Sequence, residues 1–148
     1  MTIKIGIEWL EGNDDIKSLA RATSNSAGFD LPAAIKKSVQ ILPSSFKLIP
    51  LGFKLAIPHG FEGQVRPRSG LAINFGISVL NSPGTIDSDY RGELKAILIN
   101  LGNNMVTIKR GDRIAQLIIA QLPDINFVEK KILSDTPRSS GGFGSTGI

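Results

Sequence analysis

The sequence predicts an all-β domain, a jelly-roll-like sandwich or barrel with one short helix and a flexible glycine-rich C-terminal arm. Three observations carry that expectation. Apolar and polar residues alternate with a period of two along many short runs. Turn-forming clusters break those runs at near-regular spacing. Only one stretch carries helix start and stop signals. A chain of 148 residues, 41% of them hydrophobic, suits a single domain with a full core. That domain is expected over residues 1–133, with the arm over 134–148.

In chain order, Ile3, Ile5, Ile7 and Trp9 point one way, with Lys4, Gly6 and Glu8 between them. Residues 11 to 26 are polar and read as an exposed loop. β-type runs follow at Val39 to Leu42, Phe46 to Ile49, Phe53 to Ile57 and Gly63 to Arg66. Further runs lie at Ile77 to Leu80, Glu93 to Leu101, Met105 to Lys109, Arg113 to Ala120 and Ile125 to Lys130. Between them fall turn signals such as Pro43-Ser44-Ser45, Pro58-His59-Gly60, Ser82-Pro83-Gly84 and Gly102-Asn103-Asn104. The exception to the rhythm is Ser69 to Gly76. It opens on an N-cap residue type, places Leu71, Ile73 and Phe75 inside, and stops at glycine.

Composition narrows the chemistry. No apolar run is long enough to span a bilayer, and the N-terminus carries no signal-peptide core. The expected location is therefore the cytoplasm. Cysteine is absent and His59 is the single histidine, which removes thiolate chemistry and Cys/His zinc sites. A base is then expected to be a carboxylate, and a metal to be a hard cation held by oxygens. The net charge of +4 comes from scattered residues. It fits a small polyphosphate ligand as well as a basic surface.

Five stretches could carry function, and each also has a plain structural reading. Ala27-Gly28-Phe29-Asp30-Leu31 sets a carboxylate beside glycine and an aromatic ring. Arg66-Pro67-Arg68-Ser69-Gly70-Leu71-Ala72 feeds a helix start, where free amides can meet an anion; a capped helix with two solvated arginines is an equal reading. Gly84 to Gly92 holds Asp87 and Asp89, two apart, with Tyr90 beside them. One carboxylate could polarise water, or both could cap a hairpin. Tyr90 could floor a sugar and exclude an extra hydroxyl, or fill the core. In Gly111 to Gln116, Gln116 could donate to a phosphate or bridge strands. The arm joins Arg138 to Gly141-Gly142-Phe143-Gly144-Ser145-Thr146-Gly147, a ring able to lie on a base and groups able to close around phosphate oxygens. A disordered terminus is the plain alternative.

Together these stretches, in this order, resemble the five motifs of the trimeric dUTP diphosphatase (deoxyuridine triphosphate nucleotidohydrolase) family. The resemblance runs from about residue 20 to the end. It implies a jelly-roll homotrimer with sites at subunit interfaces, each closed by a tail. It implies Asp87 as the water-activating base, Tyr90 beneath deoxyribose and Asn81 as the reader of uracil. Arg68, Ser69, Gly70 and Gln116 take phosphate contacts. Asp30 helps to hold Mg2+ through water. Phe143 stacks on the base, and Arg138, Gly144, Ser145 and Thr146 belong to the gripping tail. The implied reaction converts dUTP to dUMP and pyrophosphate, limiting uracil in DNA and supplying dUMP for thymidylate synthesis, with no stable nucleic-acid or membrane partner. One departure is visible: the family usually has glycine after the tail arginine, where this chain has Ser139. Two rivals bear on the same residues. A dCTP deaminase would share the fold and lack the glycine-rich tail; a non-catalytic binding module would have no use for Asp87, Asp30 and Tyr90 together.

Overall fold

The computed structural model describes residues 2–143. The elements run β1 (Gly6–Trp9), a 3-10 turn (Asp14–Ile16), β2 (Phe29–Pro32), β3 (Val39–Ile41), β4 (Phe46–Pro50), β5 (Phe53–Ala56) and β6 (Phe61–Arg66). Then come α1 (Ser69–Phe75), β7 (Ile77–Val79), β8 (Gly84–Ile86), β9 (Lys95–Asn100), β10 (Val106–Ile108) and β11 (Arg113–Gln121). They form a jelly-roll-like stack of antiparallel sheets. The largest has the order β2-β11-β6-β8, another is β4-β9-β7, and β1-β5 and β10-β3 are two-stranded ribbons.

Alternation explains the core. Along β9 the pattern Lys95, Ala96, Ile97, Leu98, Ile99, Asn100 switches between exposed or half-buried and fully buried, as a pleated strand with one covered face must. Leu31, Ile41, Ile49, Leu51, Phe53, Ile77, Leu94, Leu98 and Ile114 are almost wholly buried. Trp9 packs on Phe53 with ring centroids 5.0 Å apart and tilted by 52°, a favourable aromatic geometry. Truncating a side chain such as Phe53 costs about 3–5 kcal/mol. Among these apolar groups Asn100 is completely buried. Its amide donates to the carbonyls of Ile41 (2.9 Å) and Asn104 (2.8 Å), and its oxygen accepts from the Gly102 N–H (2.9 Å). Such full satisfaction is the condition for a tolerable buried amide.

Several elements differ from expectation. Gly84–Ile86, read as a turn, is a strand that pairs with β6, and Phe29–Pro32 is a strand on β11. The expected strand Ile125 to Lys130 does not form. It has no ladder partner among the described residues, and Phe127 is 94% exposed. In β1 the apolar face is only partly covered, with Ile7 42% exposed, and the strand pairs with β5 alone.

The helix is present and ends at Gly76, whose φ of 68° is the left-handed cap glycine tolerates. Its inward face is not Leu71, Ile73 and Phe75. Residues two apart on a helix lie on opposite sides, so Leu71 packs on the core while Ile73 is 84% exposed. The N-cap is Arg68 rather than Ser69, and no side chain caps the first turn.

The polar loop after β1 is pinned rather than free. Arg110 donates to both oxygens of Asp15 (2.8 and 2.6 Å) and to the Gly12 carbonyl (2.8 Å). That bidentate contact holds the Asp15 carboxyl below its ordinary range. Its stabilising effect is therefore complete above the ordinary carboxylate range and fades as pH falls through the lowered value. His59 lies in an exposed turn, as expected.

Candidate active site

Two groups of functional side chains emerge. The first is built by the chain on either side of β8. Asn81 lies in the turn between β7 and β8, Asp87 directly follows β8, and Tyr90 ends the next turn. These three line one open cleft of about 370 Å³ together with Thr85, Lys95 and Ile97. Local glycines allow this. A Cβ on Gly84 would sit 3.3 Å from the Asn81 amide nitrogen, and one on Gly92 would run into the Tyr90 ring and hydroxyl. The Tyr90 N–H donates to the Asp87 carbonyl (3.1 Å), closing the turn, and the Tyr90 hydroxyl donates to the Glu93 carbonyl (3.1 Å). The cleft can thus offer a carboxylate, a carboxamide and a flat phenol from adjacent positions.

The second group is assembled by the large sheet. Gln116 on β11 pairs across to Asp30 on β2 and to Arg66 on β6. Its amide donates to the Pro67 carbonyl (3.0 Å) and its oxygen lies over Gly28. The Asp30 carboxylate takes Arg68 Nε at 3.0 Å on one oxygen and Arg113 Nη1 at 3.1 Å on the other. Arg68 Nη1 also donates to the Arg113 carbonyl (2.9 Å). A bulge between Arg113 and Ala115 re-aims the strand there. Ser69 opens α1 and Gly70 follows it; a Cβ on Gly70 would meet open space. This group presents two guanidiniums tethered by one carboxylate, a geometry suited to an anion.

The chain does not merge the two groups. The lining of the Asn81 cleft includes none of Asp30, Arg68, Ser69, Gly70 or Gln116. None of the described arm residues hydrogen-bonds to either group. Arg138 Nε donates to its own Gly141 carbonyl (2.8 Å), and the Phe143 ring is fully exposed. Gly144, Ser145 and Thr146 lie outside the described residues. Among these residues no cluster of three or more acidic or histidine side chains could cage a metal by itself. Sequence reading missed Arg113, Thr85 and Lys95. Arg113 and Thr85 stand inside motifs already singled out, whereas Lys95 has no local signal beyond its place at the start of β9.

Solved structures share the fold. A Staphylococcus bacteriophage 80alpha dUTPase variant with dUpNHpp superposes with a TM-score of 0.87, covering 99% of this chain and 100% of that one at 22% identity. The dUTPase from phage phi11 of S. aureus gives a TM-score of 0.77 over 90% of this chain and 99% of that one, at 19% identity. The fold is that of these β proteins. Sequence comparison is more specific. The dUTPase family model matches residues 14–147. The chain is 51% identical over 148 residues to the deoxyuridine 5'-triphosphate nucleotidohydrolase of Thermoanaerobacter sp. (strain X514), covering 100% of both. It is 55% identical over 147 residues to the enzyme of the same name from Wolbachia pipientis subsp. Culex pipiens (strain wPip), covering 98% of this chain and 96% of that one. The chain belongs to the dUTPase family.

Proposed function

We propose that this protein hydrolyses dUTP to dUMP and pyrophosphate in the cytoplasm, limiting uracil in DNA and supplying dUMP for thymidylate synthesis. The observation that carries the reading is the shared cleft of Asn81, Asp87 and Tyr90, within a chain about half identical to named dUTP nucleotidohydrolases. Asp87 orients a water and takes its proton as the water attacks the α-phosphorus in line. Pyrophosphate leaves. Asn81 pairs with the uracil edge, and a base with the wrong donor pattern leaves buried polar groups unpaired. Tyr90 blocks the ribose 2′-hydroxyl. Arg68, Ser69, Gly70 and Gln116 hold the phosphates; the open space over Gly70 supports a close backbone approach.

We assign the site to a homotrimer. The separation of the two groups within one chain supports this reading, because neither is a whole site. So does uncovered apolar surface: Phe46 and Leu48 on β4 are 59% and 56% exposed, and Ile132 beyond β11 is 86% exposed. Patches of this kind mark association surfaces. Residues 134–148 act as an arm, with Phe143 stacking on uracil and Arg138, Gly144, Ser145 and Thr146 closing on the phosphates. Base–aromatic stacking contributes about 1–3 kcal/mol, which offsets part of the entropy of ordering the arm.

The residues fit Mg2+ held mainly by substrate. One carboxylate, Asp30, acting through water beside triphosphate oxygens, matches an ion that keeps several waters. When bound, Mg2+ neutralises phosphate charge and fixes the shape of the chain. The deciding experiment follows pyrophosphate release from dUTP, dTTP, dCTP and UTP with Mg2+. Preference for dUTP by about a hundredfold or more is expected; intact dUTP would overturn the reading.

A further inference from the structure

We infer that Arg91 is a positioning residue that locks the turn carrying Asp87 and Tyr90, an inference that rests on the roles just proposed for those two residues. The turn is exposed and short. One backbone hydrogen bond, from the Tyr90 N–H to the Asp87 carbonyl, closes it. By itself such a turn would open readily. Arg91 adds a constraint beside the bond from the Tyr90 hydroxyl to the Glu93 carbonyl. A single nitrogen, Nη1, donates to the Ser88 carbonyl at 2.7 Å and to the Tyr90 carbonyl at 2.9 Å.

These two bonds fix the peptide planes on either side of Asp89 and Tyr90. A charged donor makes each of them stronger than a neutral one. The guanidinium has acidic neighbours at Asp87 and Asp89, yet among the described residues it forms no ion pair. Its donors go to the backbone. Nor does it line the cleft of Asn81, Asp87 and Tyr90; it borders a separate groove with Lys54 and Gly6. Arg91 therefore acts on substrate only through the turn. The bare Gly92 completes the device by leaving room for the Tyr90 ring to fold back. Loosening the turn moves the base and the sugar floor together. Turnover and rejection of the ribose hydroxyl should then fall in step.

The test compares the wild-type protein with Arg91→Met and Arg91→Lys. With Arg91→Met, kcat on dUTP is expected to fall about tenfold or more, because small misplacements of reacting groups are costly. KM should change by less than about twofold, and the dUTP-to-UTP preference should shrink. Amide hydrogen exchange should quicken at residues 88–92 and nowhere else. Arg91→Lys, which keeps a cationic donor, should recover most of the turnover, the preference and the slow exchange. Unchanged kcat, preference and exchange in Arg91→Met would overturn the inference. So would a melting loss across the whole domain, which makes Arg91 part of the general fold. If the wild type leaves dUTP intact, the reading of the site fails, and exchange at residues 88–92 still decides whether Arg91 braces the turn.

Discussion

The two halves of the candidate site are made in opposite ways. The Asn81–Gly92 half is local in its side-chain bonds, which join residues three apart or fewer, such as Tyr90 to Glu93 and Arg91 to Ser88, while β8 ties it to β6. The basic half is global: Gln116 reaches Pro67 across 49 positions, and Arg113 reaches Asp30 across 83. A local half keeps its shape as long as its own turn holds. A global half depends on the register of β2, β11 and β6, so a slip there scatters its charges. Chemistry that needs one well-aimed carboxylate gains from the first arrangement. Binding a spread triphosphate gains from the second, where cations come from several strands.

The sharpest way to break the comparison is Asp87→Asn. It keeps the shape of the turn and removes the proposed base. Turnover should fall by about 10²–10⁴, the span of general-base catalysis, while a non-hydrolysable dUTP analogue binds with little change by calorimetry. Near-normal turnover would remove Asp87 from the role. The same logic applied to the other half gives a different signature. Asp30→Ala frees Arg68 and Arg113 from their shared anchor. KM for dUTP should rise by about tenfold, since losing a partner from a charged hydrogen bond costs about 1.5–3 kcal/mol. If raising Mg2+ restores KM, Asp30 serves the metal; if it does not, Asp30 serves the arginines.

The local half was the more legible one. Glycines, an acidic pair and one tyrosine within a short stretch announce a functional turn, and the structure puts Asn81, Asp87 and Tyr90 in one cleft. The alternating strands were also readable, since a half-covered sheet imposes period two. Other features were not. Phe29–Pro32 is only four residues long, too short for its alternation to register, and its pairing with β11 is long-range. The bulge that brings Arg113 to Asp30 is a backbone event without a residue signature. The helix misled because an apolar residue at every second position was read with strand logic. Ile125 to Lys130 misled in the other direction: strand-like composition needs a partner strand, and the described residues provide none.

A milder perturbation of the global half is Gly28→Ala. The added methyl runs into the Gln116 carboxamide oxygen, a flexible end that can swing aside at the cost of its bond to Pro67. The loss is about 1 kcal/mol, so KM should rise by about fivefold. Adding Gln116→Ala removes the carboxamide and leaves only the contact of the two Cβ atoms at 3.1 Å, so the double variant should be little worse than Gln116→Ala alone, a non-additivity expected of touching residues. Additive losses would mean that Gly28 acts independently of Gln116.

The smallest effect is expected where this chain departs from the family's tail. Ser139 has a φ of 45°, in the region that favours glycine, and its N–H donates to the Thr136 carbonyl at 3.0 Å. A left-handed L-residue costs roughly 1–2 kcal/mol. Replacing it with glycine removes that strain but loosens the open arm by about 0.5–1 kcal/mol. The turn is already present in the open arm, so its strain cancels when the closed arm keeps it, and only the loosening counts. Ser139→Gly should therefore raise KM for dUTP by about twofold with kcat unchanged, as expected for uniform binding. A fall in KM would mean that the strain falls on the closed arm alone.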